Sequence, residues 1–209
     1  MPIDSSILRL CLVTDRRLAR GRPLAEIVDA AVRGGVTMVQ LREKAATTRA
    51  FLEEARALKA LLAPLGIRLV VNDRLDIAMA IDADGVHVGQ TDLPVEEVRR
   101  FAGPDKIVGL SITNATQIMR PDAAAADYLG IGPIYRQQTK DDAATPLGVE
   151  GFRRLRALTP KPVVAIGGLK PDNSAAVLAA GADGIAVVSA IVEADEPEAA
   201  ARQFRRLFG

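Results

Sequence analysis

The chain has 209 residues, 49% of them hydrophobic, with 27 Lys and Arg against 26 Asp and Glu, enough apolar material for one large core. A net charge of +1 excludes a general electrostatic attraction to nucleic acid or to an acidic membrane surface, so any anionic ligand must be gripped locally. One cysteine, Cys11 in the apolar "LCLV", cannot close an intramolecular disulfide, and no run nears the roughly 18 apolar residues of a spanning helix; the expectation is a cytoplasmic protein with Cys11 packed as a small hydrophobe. The opening "MPIDSSILRL" has no charged start and long apolar core, so no secretion signal is expected there.

Taken in chain order, short β-branched runs recur at regular intervals: "RLCLVTD" from residue 9, "TMVQLR" from 37, "IRLVVND" from 67, "GVHVG" from 85, "KIVGLS" from 106, "DYLGIGP" from 127, "PVVAIGG" from 162 and "GIAVVS" from 184. Between them lie segments with apolar residues three and four apart, such as "RPLAEIVDAAVRGG", "TTRAFLEEARALKALLAPLG", "VEEVRRFAG", "VEGFRRLRAL" and "PDNSAAVLAAG", and "EPEAAARQFRRLF" closes the chain. That spacing predicts helices. Strict strand and helix alternation predicts parallel pairing with right-handed crossovers, because parallel neighbours need a long connection. Eight units in about 200 residues fit a single (β/α)8 TIM barrel over 1–209. A doubly wound sheet would usually carry a glycine-rich turn after its first strand, whereas this turn reads "VTDRRLARGRPLAE". "GGVTMVQLR" and "AGADGIAVVS" share a small-residue entry into a strand, a hint of a repeated unit.

In such a barrel the loops after the strands converge on one ligand. The second strand ends in Gln40, Arg42 and Lys44, the third in Asn72 and Asp73, the fourth leads to Gln90 and Asp92, and the fifth ends on Ser111. After the sixth comes "GPIYRQQTKDDAATPLG", carrying Gln137, Thr139 and Lys140, longer than the usual connection of roughly 2 to 6 residues. Adjacent strands are about 4.8 Å apart, so Asp73 and Asp92 are placed to share one cation. Two carboxylates, water and phosphate oxygens form the usual environment of Mg2+. Arg42 and Lys44 would neutralise the remaining phosphate charge. A second anion site is suggested where "IGGL" and "VVSAI" offer backbone N–H groups after strands seven and eight.

From the residues alone, plainer readings stay open. Asp92 before "LPVEEV" serves equally as a helix cap, Asp73 as a cap for "RLDIAMAI", and "REK" as a solvated turn. His87, the one histidine, reads as a structural residue rather than a general base, since spacing assigns it no carboxylate partner.

The blocks "VQLREK", "VVNDRLDIAMAIDADGVHVGQTDLP", "GPIYRQQTKDDA", "AIGGL" and "VVSAI" occur in this order between "LVTD" and residue 191. Together they resemble the thiamine phosphate synthase family. The resemblance implies a (β/α)8 transferase that joins a hydroxymethylpyrimidine diphosphate to a thiazole phosphate, with Mg2+ as cofactor and those two small molecules as substrates. It implies that Gln40, Arg42 and Lys44 hold the pyrimidine diphosphate, with Asn72 and Ser111 lining its site and Asp73 and Asp92 binding Mg2+. Lys140 would meet the diphosphate, Thr139 and its predecessors the thiazole phosphate, and Gly168, Val188 and Ser189 its phosphate group. The family pattern Pro-Thr-x-Thr-Lys is replaced by Arg136-Gln137-Gln138-Thr139-Lys140, which puts the role of Gln137 in question. A thiazole tautomerase and a non-catalytic thiazole-phosphate-binding barrel are the competing functions. Nothing in the sequence chooses between a monomer and a homo-oligomer.

Overall fold

A computed structural model describes residues 3–136 and 145–209. Eight parallel strands close into a barrel in sequence order: β1 (Leu10–Val13), β2 (Met38–Leu41), β3 (Arg68–Asn72), β4 (Gly85–Val88), β5 (Ile107–Ile112), β6 (Tyr128–Ile131), β7 (Val163–Ile166) and β8 (Gly184–Val187). The helices between them are α1 (Leu24–Arg33), α2 (Thr48–Leu62), α3 (Leu75–Ala80), α4 (Val95–Ala102), α5 (Ala115–Ile118), α6 (Pro121–Ala125), α7 (Gly148–Arg156), α8 (Ser174–Ala179), α9 (Ser189–Val192) and α10 (Pro197–Arg205). The (β/α)8 expectation is met, and every run read as a strand holds one, β5 running one residue past "KIVGLS".

Side chains on each strand alternate between two cores. One alternate set packs outward against the helices, where Phe51, Phe152 and Phe204 are wholly buried. The other fills the barrel with Cys11, Val13, Met38, Val70, Tyr128, Val164 and Ala186. Cys11 is buried there, and loss of water pushes its thiol up to about 12, so it stays a neutral packing group.

The end of the barrel where the strands begin is closed by a repeated latch. Just before β4, β6 and β8, Asp84, Asp127 and Asp183 accept the backbone N–H of Leu69, Val108 and Val163, at 3.0, 2.7 and 2.8 Å. Each acid is also paired with a base from the helix that leads into the strand it latches: Lys59 of α2 before β3, Arg99 of α4 before β5 and Arg156 of α7 before β7. Before β2 the hydroxyl of Thr37 takes the same place, accepting from Leu10 N at 3.0 Å. Thr37 and Asp183 are the equivalent positions of "GGVTM" and "AGADG", which gives that sequence likeness a physical basis.

Candidate functional site

The opposite end of the barrel gathers the polar residues. Gln40 lies two residues beyond Met38 and so shares its inward parity. It is buried, and its amide nitrogen meets no acceptor among the described residues. A buried donor without a partner is costly unless a ligand or water completes it.

Two residues further on, Arg42 is mostly enclosed. Its Nη1 donates to Asp15 Oδ2 at 3.0 Å, and its backbone N–H donates to Thr14 Oγ1 at 3.0 Å, so the loop after β1 fixes both ends of the residue. Asp15 is 3% exposed. Burial pushes its carboxyl up, but hydrogen bonds from Arg17 and the charges of Arg17 and Arg42 hold it below the usual carboxylate range. Glu43, next in sequence, accepts from the N–H groups of Ala45 and Ala46 and pairs with Arg16, which also binds Glu54. "REK" is therefore not a solvated turn. Only Lys44 reaches out, with Nζ 2.5 Å from Asp73 Oδ2.

Asp73 occupies the left-handed backbone region at φ 61°, which aspartate tolerates better than most residues. Its N–H donates to the carbonyl of His87 at 2.8 Å, tying the end of β3 to β4. Asp92 turns back to accept from Gly89 N at 2.8 Å, and a Cβ on Gly89 would lie 2.9 Å from that carboxylate oxygen. Burial raises the Asp92 carboxyl above its ordinary range, and the facing Asp73 carboxyl, within hydrogen-bonding reach, raises it further; Gly89 N–H and Lys44 oppose the rise. Two acids held face to face are poised for a cation. Neither caps a helix: α4 starts from Pro94 and α3 from Arg74, without a side-chain cap at either. Among the described residues no cluster of three or more His, Cys, Asp or Glu side chains forms a complete metal cage. The pair instead fits Mg2+, whose shell is normally completed by water and ligand phosphate.

Ser111 is the last but one residue of β5, which runs on to Ile112. Its carbonyl accepts from Gln90 Nε2 at 2.8 Å, and its hydroxyl lies 2.9 Å from His87 Nε2. Asn72 pairs with His87 in the ladder between β3 and β4, so it stands at the same level.

Beyond β7 and β8 lies a cleft of about 500 Å3 lined by Gly167, Gly168, Val188, Ser189, Arg136 and Lys170, among others. Gly168 has φ 67°, and a Cβ there would lie 2.7 Å from that of Tyr135 and 2.9 Å from the Arg136 carbonyl. Only glycine lets the two loops approach this closely. Gln40, Arg42, Lys44, Asn72, Asp73, Asp92 and Ser111 thus share one mouth, and Gly168, Val188 and Ser189 share an adjoining cleft. Gln137, Thr139 and Lys140 lie outside the described residues. Sequence reasoning passed over Asp15, Gly89 and Tyr128. An acid at the end of β1, matching those at the ends of β3 and β4, was the available signal for the first.

A family model described as thiamine monophosphate synthase matches residues 10–191. A thiamine-phosphate synthase of Chloroflexus aurantiacus is 52% identical over 95% of this chain and 92% of its own length. Another, of Albidiferax ferrireducens, is 52% identical over 96% and 91%. Among solved structures, a thiamine phosphate pyrophosphorylase from Pyrococcus furiosus superposes with a TM-score of 0.89 at 37% identity, covering 97% of this chain and 96% of that one.

Proposed function

The chain belongs to the thiamine monophosphate synthase family, and on that premise we propose the parts its residues play. It is a transferase that joins 4-amino-2-methyl-5-(diphosphooxymethyl)pyrimidine to 4-methyl-5-(2-phosphooxyethyl)thiazole, giving thiamine phosphate and diphosphate. The observation that carries the assignment of roles is the facing placement of Asp73 and Asp92, with Lys44 on Asp73.

Breaking the C–O bond of the pyrimidine diphosphate leaves a ring-stabilised benzyl-type cation, which the thiazole nitrogen then captures in a new C–N bond. The protein's main tasks are to accept the charge of the departing diphosphate and to align the two rings. Asp73 and Asp92 would hold Mg2+, which when bound supplies positive charge to the diphosphate. Arg42, kept rigid by Asp15, offers its remaining guanidinium N–H groups to phosphate oxygens. Lys44, which rests on Asp73, would add its charge to the diphosphate, and Lys140 would add another from the sixth loop. Gln40 brings its unpartnered amide N–H to the pyrimidine, with Asn72 and Ser111 at the same level. Gly168, Val188 and Ser189 receive the thiazole phosphate, and Arg136 and Lys170 on the same cleft add two cations. Thr139 and Gln137 complete that side in sequence. No step needs a side-chain nucleophile, and His87 is engaged elsewhere.

No helix among the described residues is long and apolar enough to cross a membrane, in keeping with a cytoplasmic location. The relatives' shared activity favours synthesis over tautomerisation or binding alone. A coupling assay with both substrates, with and without Mg2+, tests the reading: metal-dependent thiamine phosphate formation is expected, and thiazole isomerisation or binding without turnover would overturn it.

A further inference from the structure

Inside the barrel, just below Ser111, His87 and Tyr128 are joined in a chain. Tyr128 Oη is 2.8 Å from His87 Nδ1, and His87 Nε2 is 2.9 Å from Ser111 Oγ. The fold makes room for this chain deliberately. Gly109 pairs in the ladder with both His87 and Tyr128, and a Cβ there would lie 2.4 Å from His87 Nδ1 and 2.3 Å from Tyr128 Cζ. A Cβ on Gly130 would come within 3.1 Å of His87 Cε1. Two glycines thus vacate the space that a histidine and a tyrosine fill.

From this juxtaposition we infer that Tyr128 and His87 are positioning residues that set the direction of the Ser111 hydroxyl, making Ser111 a hydrogen-bond donor to the pyrimidine substrate. This deepens the synthase reading and rests on it for the identity of the ligand. The direction follows from satisfaction of buried groups. Tyr128 is 2% exposed, and burial pushes its phenol well above the ordinary value, so it carries a proton. Among the described residues its one hydrogen-bond partner is His87 Nδ1. Nδ1 therefore accepts, the imidazole proton sits on Nε2, and Nε2–H donates to Ser111 Oγ. The Ser111 proton then turns away from the barrel interior toward the mouth. The reverse direction would strand a buried phenol proton without an acceptor. It would also leave Ser111 able only to accept.

His87 is the one histidine of the chain, so 15N spectra of the full protein labelled at histidine read this imidazole alone. The expected result is a neutral ring protonated on Nε2 with a bare Nδ1. A proton on Nδ1, with or without one on Nε2, overturns the inference. In Tyr128→Phe the ring is released from its fixed direction, and spectra of mixed tautomers are expected. The same variant should raise KM for the pyrimidine diphosphate roughly two- to tenfold, the worth of one hydrogen bond, with KM for the thiazole phosphate unchanged. Equal rises in both, or a fall in melting temperature with neither moved, would mark a merely structural tyrosine. His87→Gln, which can accept and donate at once, should retain more affinity than His87→Leu; equal loss in the two counts against the relay. The spectra need no substrate. Nε2 protonation without thiamine phosphate synthesis would sink the reaction assignment alone, and synthesis with Nδ1 protonation would sink the relay alone.

Discussion

Asp15, at the end of β1, grips Arg42 of the neighbouring strand end with Oδ2 to Nη1 at 3.0 Å. The acid is buried and also accepts the backbone N–H of Arg17, so it cannot swing away and carries the guanidinium with it. Asp15→Ala is expected to lower kcat/KM for the pyrimidine diphosphate about 10- to 100-fold, the range for a hydrogen bond between charged groups. Asp15→Asn, which can still accept from Arg17, should fall between. Steady-state kinetics with each substrate varied in turn checks this: an unchanged kcat/KM in a folded variant would remove Asp15 from the site.

The facing carboxyls of Asp73 and Asp92 set function against stability. Because the folded Asp92 is raised above its unfolded value, the favourable contribution of the protonated form is complete below the ordinary carboxylate range. It is lost as pH rises through the folded value. At neutral pH the metal-free pair therefore weakens the fold. Asp92→Asn should melt a few degrees higher than the parent in chelator, yet gain nothing from added Mg2+ and lose most coupling activity. Melting curves at pH 7 with and without Mg2+ decide the matter; a variant that melts lower in chelator contradicts it.

Gly168 stands where the loops after β6 and β7 touch. Gly168→Ala must push back Tyr135 or leave its positive φ, at a cost of about 1–3 kcal/mol, and KM for the thiazole phosphate should rise while that for the pyrimidine stays put. Arg136→Ala, on the same cleft, should raise the thiazole KM without lowering the melting temperature. An Arg136 variant with unaltered thiazole KM would make this arginine a bystander.

The acids at the strand-entry end carry stability alone. Asp127→Ala, which removes the partner of Val108 N and Arg99, should cost about 1–3 kcal/mol with both KM values intact. For Asp84, burial works to raise the carboxyl, but the N–H of Leu69 and the charges and hydrogen bonds of Lys59 and Arg68 hold it below the ordinary range. Its contribution is thus full above pH of about 4 and disappears as pH drops through the lower folded value. Acid unfolding should be less steep in Asp84→Asn than in the parent, and identical curves would refute the assignment.

Lys140 rests on sequence alone. If it neutralises the departing diphosphate, Lys140→Ala should cut kcat by about 100-fold, the usual loss for one preorganised charge-stabilising group, with little change in melting temperature. Early melting with full specific activity would make it a structural lysine.

The barrel was legible because its signal is periodic: eight apolar runs separated by helical spacing leave few other topologies. Gln40, Arg42 and Lys44 were legible for a related reason, since alternate residues on a strand continue onto one side of the sheet. The partners of these residues were not. Asp15 and Arg42 are 27 positions apart, and Tyr128 and His87 are 41, so only the pairing of β1 with β2, and of β4 and β6 with β5, brings them together. The same holds for His87, read as structural without a partner in view: a phenol on β6 and a serine hydroxyl on β5 meet its ring. Helix capping at Asp92 was an open reading because local sequence cannot reveal a carboxylate turned back to Gly89.

The repeated latch has a consequence for adapting the protein to heat. Its acids sit at the far end of the staves from every group that meets substrate, so each can be reinforced without disturbing the reacting end. Thr37 already forms the fourth rung, its hydroxyl accepting from Leu10 N and donating to the Ile7 carbonyl, so the reinforcement belongs at the three acids and their paired bases. Hardening of that kind would leave catalytic behaviour where it stands.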